Sequence, residues 1–206
     1  MTRVSERPTT RDAVAEVLPE LVGHARVCAN GFISRWVCAL GDDDANFYMI
    51  GSMGLASSIG LGIAAARPDV PVAVIDGDGN VLMNLGSLAM TAVIAPAKFR
   101  HVVLDNGVYA STGNQPAISA IVRLEEIARA AGYRRVARVG RLADIAPALR
   151  AQLAVDGPTL LLVETQPESG PPAPRIPYTP PEITARVSRA IARLAALAGQ
   201  TGKGAR

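Results

Sequence analysis

The stretch that decides the fold is Val70-Pro-Val-Ala-Val-Ile-Asp-Gly-Asp-Gly-Asn80, in which an apolar run gives way to a polar, glycine-rich turn. An unalternating apolar run, here residues 70–75, is typical of a strand buried on both faces of a parallel sheet. A second predicted buried strand, residues 99–104, ends in Asp105-Asn106-Gly107. The sequence therefore predicts two buried strands, each followed at its carboxyl end by a polar turn.

The segments around these two strands alternate between helical and extended patterns. Further strands are predicted at residues 25–29, 134–139 and 159–164, and helices at 11–21, 30–40, 52–66, 81–94, 121–131, 142–153 and 181–197. This order predicts an α/β fold: a doubly wound, mostly parallel sheet with helices on both faces. We expect an N-terminal helical extension (1–24), a ligand-binding domain (25–169), and a Pro-rich segment with a C-terminal helix and disordered tail (170–206). Gly54, Ser58 and Gly62 share one face of the predicted helix 52–66, which predicts a close backbone approach.

Composition and charge exclude several classes of protein. The 206 residues are 49% apolar and 19% charged, which is enough for a packed core, but only 4% aromatic, which suits a base-stacking module poorly. The net charge of +3 comes from the tail: after residue 170 there are six basic residues and one acidic residue, leaving 15 basic and 17 acidic before it. A nucleic-acid partner is therefore not expected. Three aspartates, 42–44, suggest a solvated loop rather than a metal site.

Localisation is predicted from the cysteines and from the apolar runs. Two cysteines, Cys28 and Cys38, cannot make a four-ligand cluster and suggest buried thiols in a reducing compartment. The first residues lack the apolar core of a signal peptide. The longest apolar stretch, residues 49–66, is interrupted by glycines and serines and is shorter than the roughly 20 residues that span a bilayer. We therefore expect a soluble, cytoplasmic protein with no membrane partner.

The two polar turns predict a particular ligand. Open parallel sheets bind ligands at the carboxyl ends of their strands, and glycines such as Gly77 and Gly79 let backbone N–H groups approach an anion. Asp78 would repel a phosphate unless a cation lay between them, and its oxygen together with that of Asn106 suits Mg²⁺. The alternative is that both clusters are merely tight turns. A dinucleotide site fits less well because Leu82 replaces the third glycine of GxGxxG.

Gly77-Asp78-Gly79, followed 28 residues after Asp78 by Asn106 in Asp-Asn-Gly-Val-Tyr, resembles the thiamine-diphosphate motif. The resemblance implies Mg²⁺ held by Asp78, Asn106 and the Val108 carbonyl, with Asn80 contacting the diphosphate. Asp105 stands where family members usually have a first asparagine. The implied cofactor-binding residues are Gly51, Ser52, Met53, Gly77, Asp78, Gly79, Asn80, Asn106, Val108 and Tyr109.

The segment Gly51-Ser52-Met53-Gly54 resembles the part of these enzymes that grips the aminopyrimidine. The resemblance implies that the Gly51 carbonyl accepts a hydrogen bond from the 4′-amino group and that Met53 wedges under the cofactor; an ordinary core methionine is the alternative. Residues 46–58 and 105–116 look like phosphonopyruvate and sulfopyruvate decarboxylases. There, Ser111, Thr112, Asn114 and Gln115 belong to a loop near the active centre, which implies catalytic roles for Met53, Ser111 and Thr112; a plain polar loop is the alternative.

The resemblance also implies a second chain. Activation of the cofactor requires a glutamate on a pyrimidine-binding domain, and this chain has one α/β unit, with neither Glu16 nor Glu20 suitably placed. We therefore predict the diphosphate-binding (beta) subunit of a split 2-oxo acid decarboxylase, in an α₂β₂ arrangement. Three roles are open for the Pro-rich tail with Arg175: it is solvated, it packs on the partner, or it guides an anionic substrate.

Three alternatives remain. The first is an acetolactate-synthase-like carboligase, and the second is a non-catalytic assembly subunit. The third is a 2-oxo acid:ferredoxin oxidoreductase subunit, which two cysteines fit poorly because they cannot hold an iron–sulfur cluster.

Overall fold

The computed structural model describes residues 7–168 and 170–201, and within them a six-stranded parallel sheet carries the fold. Its strands run in the order β2-β1-β3-β4-β8-β7, and a small antiparallel hairpin, β5–β6, stands apart from it. The strands are β1 (Ala25–Cys28), β2 (Asn46–Tyr48), β3 (Val72–Gly77), β4 (Phe99–Asp105), β5 (Val108–Tyr109), β6 (Gln115–Pro116), β7 (Arg135–Val139) and β8 (Thr159–Glu164).

Helices cover both faces of this sheet, as predicted. The α-helices are α1 (Thr10–Glu20), α2 (Phe32–Gly41), α3 (Ala56–Ala66), α4 (Asp78–Leu82), α5 (Gly86–Ile94), α6 (Leu124–Ala131), α7 (Leu142–Leu153) and α8 (Pro180–Thr201). Strand β8 shows the layering, because successive side chains point to opposite faces. Leu161 and Val163 share a core with α7, whereas Leu160 and Leu162 share a second core with α6. The doubly wound α/β prediction is confirmed.

Several predicted helices differ from the observed ones, and two of these differences lie next to the 51–54 segment. The helix predicted from residue 52 begins at Ala56, because Ser52 (φ 55°) and Gly54 (φ 96°) have left-handed backbones that no α-helix contains. The helix predicted over residues 81–94 is two helices, α4 and α5. They are separated at Asn84, whose carbonyl accepts hydrogen bonds from the backbone and hydroxyl of Ser87 and whose side chain bonds Gly54. This break keeps the 51–54 segment attached to the end of β3.

Of the predicted close-approach face, only Gly54 has a close neighbour: a Cβ there would lie 3.1 Å from Met83 Cβ. A Cβ added at Gly62 would meet nothing within 4 Å, and Ser58 is exposed. The close approach occurs at Gly60, where a Cβ would lie 2.4 Å from Val74 Cγ2 of strand β3. Gly60 therefore lets α3 lie against the sheet, whereas Gly62 faces open space and Ser58 accepts a hydrogen bond from Asn84 at 3.2 Å.

The terminal helices pack on the same core as the sheet. Val14 and Val17 of α1 and Ile183 of α8 belong to the larger hydrophobic cluster. The predicted domain boundaries stay predictions, and the tail predicted to be disordered lies outside the described residues, apart from the end of α8. Helix α8 is four residues longer at its carboxyl end than expected.

The aspartates at 42–44 lie in a largely exposed loop, as predicted, but two of them also anchor the C-terminal helix. Arg186 Nε lies 2.8 Å from Asp44 Oδ1, and its Nη2 lies 3.0 Å from both oxygens of Asp42. The guanidinium also stacks 3.8 Å above the ring of Tyr178, whose hydroxyl donates to Asp42. Asp43 pairs with Arg26 at 3.1 Å. Part of the basic tail is thus neutralised within the chain.

The two cysteines differ in burial. Cys28 is buried as predicted, and burial raises the pKa of its thiol to about 12, whereas Cys38 is only half-buried. Both are free thiols. Across residues 7–168 and 170–201, no helix has the length and apolar character needed to cross a membrane.

Candidate active site

The two polar turns identified in the sequence meet at one edge of the sheet. Strands β3 and β4 are parallel neighbours in which Gly77 pairs with Leu104, so Asp78 and Asn106 both follow carboxyl ends. Between them lies a cavity of about 110 Å³. Of the predicted site residues, those that line this cavity are Met53, Gly77, Asp78, Gly79, Asn80, Asn106, Val108, Tyr109, Ser111 and Thr112. Gly51 and Ser52 do not line it; both are exposed and line a different cavity, together with Pro180 and Ile183 of α8.

Gly79 is where three segments of the site come together. A Cβ there would lie 2.5 Å from Cε1 of Tyr109 and 3.2 Å from Cε of Met53. No larger residue could occupy this position without displacing the ring or the thioether. The absence of a side chain at Gly79 thus allows Met53 and Tyr109 to reach the same turn.

Asp78 and Asp105 share one hydroxyl group. Ser119 Oγ lies 2.8 Å from Asp78 Oδ2 and 2.9 Å from Asp105 Oδ1, and all three residues are buried. A hydroxyl has a single proton and can donate to only one carboxylate at a time. At the other contact, two oxygen atoms without a proton between them would repel each other. The second carboxylate must therefore carry a proton or bind a cation. Burial, reinforced by repulsion from Asp105, raises the pKa of Asp78 to about 6.

These oxygen donors fit a hard cation. Asn106 Oδ1 accepts a hydrogen bond from the Val108 N–H at 3.0 Å, an arrangement that fixes the amide oxygen beside the turn. A carboxylate, an amide oxygen and a backbone carbonyl, completed by phosphate oxygens, are the ligands that Mg²⁺ takes in proteins. No group of three or more His, Cys, Asp or Glu side chains suited to a metal occurs in the described ranges. A site of this kind needs only one carboxylate from the protein.

Asn80 is a brace between the two halves of the site. Its Oδ1 accepts a hydrogen bond from the Gly54 N–H at 2.6 Å, and its Nδ2 donates to Asp76 Oδ1. The other oxygen of Asp76 lies 3.0 Å from His101 Nε2, in a pair fully shielded from solvent. Both ends of the Asn80 amide are thus occupied by protein groups, which leaves its backbone N–H for an anion. The contact of Asn80 with diphosphate stays a prediction.

The sequence analysis missed two parts of this site. One is the Asp76–His101 pair, for which the only signal was the presence of polar residues inside two apolar strands. The other is the turn Asn30-Gly31-Phe32, which follows β1 and lines the same cavity. Strand β1 is the parallel neighbour of β3, so the rule that found the other turns applies to it as well.

Comparison with known proteins defines the class. Residues 33–163 match the family described as "Thiamine pyrophosphate enzyme, C-terminal TPP binding domain". The chain therefore belongs to the thiamine pyrophosphate enzymes and carries their TPP-binding domain, and the cofactor of this domain is thiamine diphosphate.

Named relatives narrow the class further. The chain is 45% identical over 185 residues to a phosphonopyruvate decarboxylase of Streptomyces viridochromogenes; the match covers 89% of this chain and 46% of that protein. It is 36% identical over 183 residues to the sulfopyruvate decarboxylase subunit beta of Methanococcus maripaludis, covering 88% and 97% respectively. The chain thus spans about half the length of the first of these relatives and nearly all of the second.

Solved structures agree with the fold. A putative thiamin diphosphate-dependent enzyme of Mycobacterium smegmatis superposes with a TM-score of 0.64 at 26% identity, covering 78% of this chain and 32% of that one. A 4-hydroxybenzoylformate decarboxylase of Rhodococcus jostii has a TM-score of 0.66 at 20% identity, covering 82% and 34%. At 20% identity, the second match supports the fold alone.

Proposed function

We propose that this chain is the diphosphate-binding subunit of a thiamine-diphosphate-dependent decarboxylase whose substrate is a 2-oxo acid with a sulfonate or phosphonate at C3. The observation that carries the proposal is the meeting of Asp78 and Asn106 at adjacent strand ends, where one hydroxyl is shared by two buried carboxyl groups. The substrate class is supported by the names of relatives at 36–45% identity.

Asp78, Asn106 and the Val108 carbonyl would hold Mg²⁺, and the backbone of residues 77–80 would hold the diphosphate. In the absence of the metal, Asp78 takes up a proton at a pH near 6, so Mg²⁺ would replace that proton. Ser119 would then donate to Asp105 while the metal neutralises Asp78. When bound, the cofactor accepts the electron pair released as the substrate carboxylate leaves as CO₂.

Met53, Tyr109 and the loop after β5 would shape the reaction site. Met53 and the Tyr109 ring both lie against Gly79, where a bent cofactor would need an apolar support. Thr112 Oγ1 contacts both the Tyr109 carbonyl and Gln115 Oε1, which fixes the loop that carries Ser111. Ser111 would orient the substrate through its hydroxyl, with Thr112 beside it, and the Gly51 carbonyl and Ser52 would meet the aminopyrimidine.

A partner chain would supply the pyrimidine-binding domain and its activating glutamate, in an α₂β₂ arrangement. The names "subunit beta" of several relatives support such an alpha partner. The docking surface would be the apolar face of α5, where Met90, Val93 and Ile94 are exposed. Helix α5 packs beside α3, where Ser57 donates a hydrogen bond to Ser87 at 2.7 Å. Leu55, just before α3 and next to the segment that would grip the aminopyrimidine, is exposed as well.

The test is co-expression with the alpha chain, followed by assays over a panel of 2-oxo acids with thiamine diphosphate and Mg²⁺. We expect CO₂ and an aldehyde from a single carbonyl substrate. A product joined from two carbonyl substrates would instead indicate a carboligase. If adding this chain does not stimulate decarboxylation by the alpha chain, it is a non-catalytic assembly subunit and the proposal fails.

A further inference from the structure

A second, larger cavity of about 540 Å³ adjoins the cofactor cavity. The two share Asn30, Gly31, Phe32 and Ser111 in their walls. The far wall is formed by the proline-rich segment before α8, through Arg175, Ile176 and Tyr178. A volume of several hundred Å³ is typical of a small-molecule site.

The charge of this cavity is entirely positive. Its lining includes Arg35, on the second turn of α2, and Arg175, but no aspartate or glutamate. Helix α2 also begins here at Phe32, after an N-cap glycine that has no side chain to cap it, so the positive end of its dipole lies in the same region. Three independent sources of positive potential thus meet beside the site where thiamine diphosphate would bind.

Neither arginine is engaged with an acid. Within residues 7–168 and 170–201, no carboxylate lies within ion-pair distance of Arg35 or Arg175, and neither donates a hydrogen bond. The Arg35 guanidinium lies 5.6 Å from the centre of the Phe32 ring, which leaves its N–H groups unused. Arg186, a few residues beyond the same segment, binds two aspartates. The contrast indicates that Arg35 and Arg175 are not needed to hold the fold.

Ser111 marks the boundary between the two cavities. A Cβ at Gly31, where φ is +84°, would lie 3.5 Å from Ser111 Oγ. The hydroxyl therefore sits against the turn that leads into α2, in the wall common to both cavities. A molecule reacting in the first cavity would extend past Ser111 into the second.

We infer that Arg35 and Arg175 form a binding subsite for the tetrahedral anionic group at C3 of the substrate, with Ser111 at its entrance. This inference rests on the proposed function. The planar guanidinium presents paired N–H donors that match the oxygens of a phosphonate or sulfonate. Arg175, on the proline-rich segment before α8, and Arg35, on α2, would hold the anion together, so the keto acid end points toward the cofactor.

The test measures discrimination between substrates with and without the anionic group. The full chain in complex with its alpha partner, with thiamine diphosphate and Mg²⁺, is assayed on 3-sulfopyruvate, 3-phosphonopyruvate and pyruvate. Arg175→Gln and Arg35→Gln should each lower the ratio of kcat/KM for the two anionic acids to that for pyruvate by roughly 10- to 100-fold, mainly through KM. Arg175→Lys keeps the charge but loses the paired donors, so its ratio should lie between those of the wild type and Arg175→Gln.

Arg135→Gln is the matched control. Arg135 is exposed and begins β7, at the opposite edge of the sheet from the carboxyl ends. If the Arg35 and Arg175 variants change the ratio of kcat/KM values no more than this control does, the two arginines do not form the subsite. Because Arg175 is exposed, loss of folding cannot account for its effect.

Equilibrium binding separates this inference from the proposed function. The non-reactive 3-sulfopropanoate and 3-phosphonopropanoate lack the keto group and need no turnover, so they test the subsite even if the complex decarboxylates nothing. We expect at least tenfold weaker binding to Arg175→Gln than to the wild type or the control. Equal binding to all of them, or none to the wild type, would overturn the subsite whatever the activity assays give.

Discussion

Burial of Asp78, which raises its pKa, predicts that replacing this carboxylate stabilises the protein while removing its metal site. A pKa of about 6 in the folded chain, against an ordinary value of 3.8, means that the fold destabilises ionised Asp78. Once Asp78 is ionised, this difference in pKa lowers the free energy of unfolding by about 3 kcal/mol. Asp78→Asn has nearly the same shape and no charge, so the metal-free variant should be more stable than the wild type at pH 8 by roughly 1–3 kcal/mol.

The direction of the pH dependence follows from the raised pKa. The folded chain holds the Asp78 proton more tightly than the unfolded chain does, so this group's contribution to stability falls as the pH rises from about 4 to about 6. The difference between variant and wild type should therefore be small near pH 4 and fully developed above pH 7. Taking this difference cancels the opposite trend from carboxylates such as Glu164, whose pKa is lowered by Arg138.

Chemical denaturation of the full chain at several pH values, with and without Mg²⁺ and thiamine diphosphate, measures both effects. Mg²⁺ with the cofactor should stabilise the wild type above pH 6 and should not stabilise Asp78→Asn. The reasoning is refuted if the metal-free variant is less stable than the wild type at pH 8, or if it still shows Mg²⁺-dependent binding of the cofactor.

Three further substitutions test the packing around the site. Gly60→Ala places a Cβ 2.4 Å from a strand side chain and should lower the free energy of unfolding by about 1–3 kcal/mol. Gly62→Ala, in open space on the same helix, should raise it by about 0.5–1 kcal/mol. Equal effects of the two variants in chemical denaturation would contradict the packing of α3. Gly79→Ala places a Cβ 2.5 Å from an aromatic ring carbon in the cavity and should weaken cofactor binding in calorimetric titration by at least tenfold; unchanged affinity would show that the cofactor does not use this turn. Arg186→Ala removes the ion pairs of this arginine with Asp42 and Asp44 and should lower the free energy of unfolding by roughly 1–3 kcal/mol, with faster amide hydrogen exchange in α8. Unchanged exchange would mean that Arg186 does not hold this helix.

The sheet and its ligand edge could be predicted because they depend on local rules. A buried apolar strand that ends in a polar turn is recognisable within ten residues, and parallel strands bring their carboxyl ends to one edge. Strand β2 could not be predicted, because three residues show no periodicity. The break at Asn84 was also missed, since it depends on a hydrogen bond to Gly54, thirty residues earlier in the chain.

Features that depend on contacts distant in sequence lay beyond the reach of the sequence analysis. The ion pair of Asp42 could not be predicted because its partner, Arg186, lies 144 residues away. The cavity between α2 and the proline-rich segment likewise joins Arg35 and Arg175 from opposite ends of the chain. Charge counts suggested only that the tail is basic. The fold decides which of its arginines are neutralised and which remain free to bind an anion.

The most direct measurement of the central claim is the rate of CO₂ release from 3-sulfopyruvate and 3-phosphonopyruvate when this chain and its alpha partner, purified separately, are mixed with Mg²⁺ and thiamine diphosphate. We expect activity only in the mixture, and its loss when the mixture contains Asp78→Asn. Full activity of the alpha partner without this chain, or undiminished activity with Asp78→Asn, would contradict the claim that the diphosphate half of the active site lies between β3 and β4.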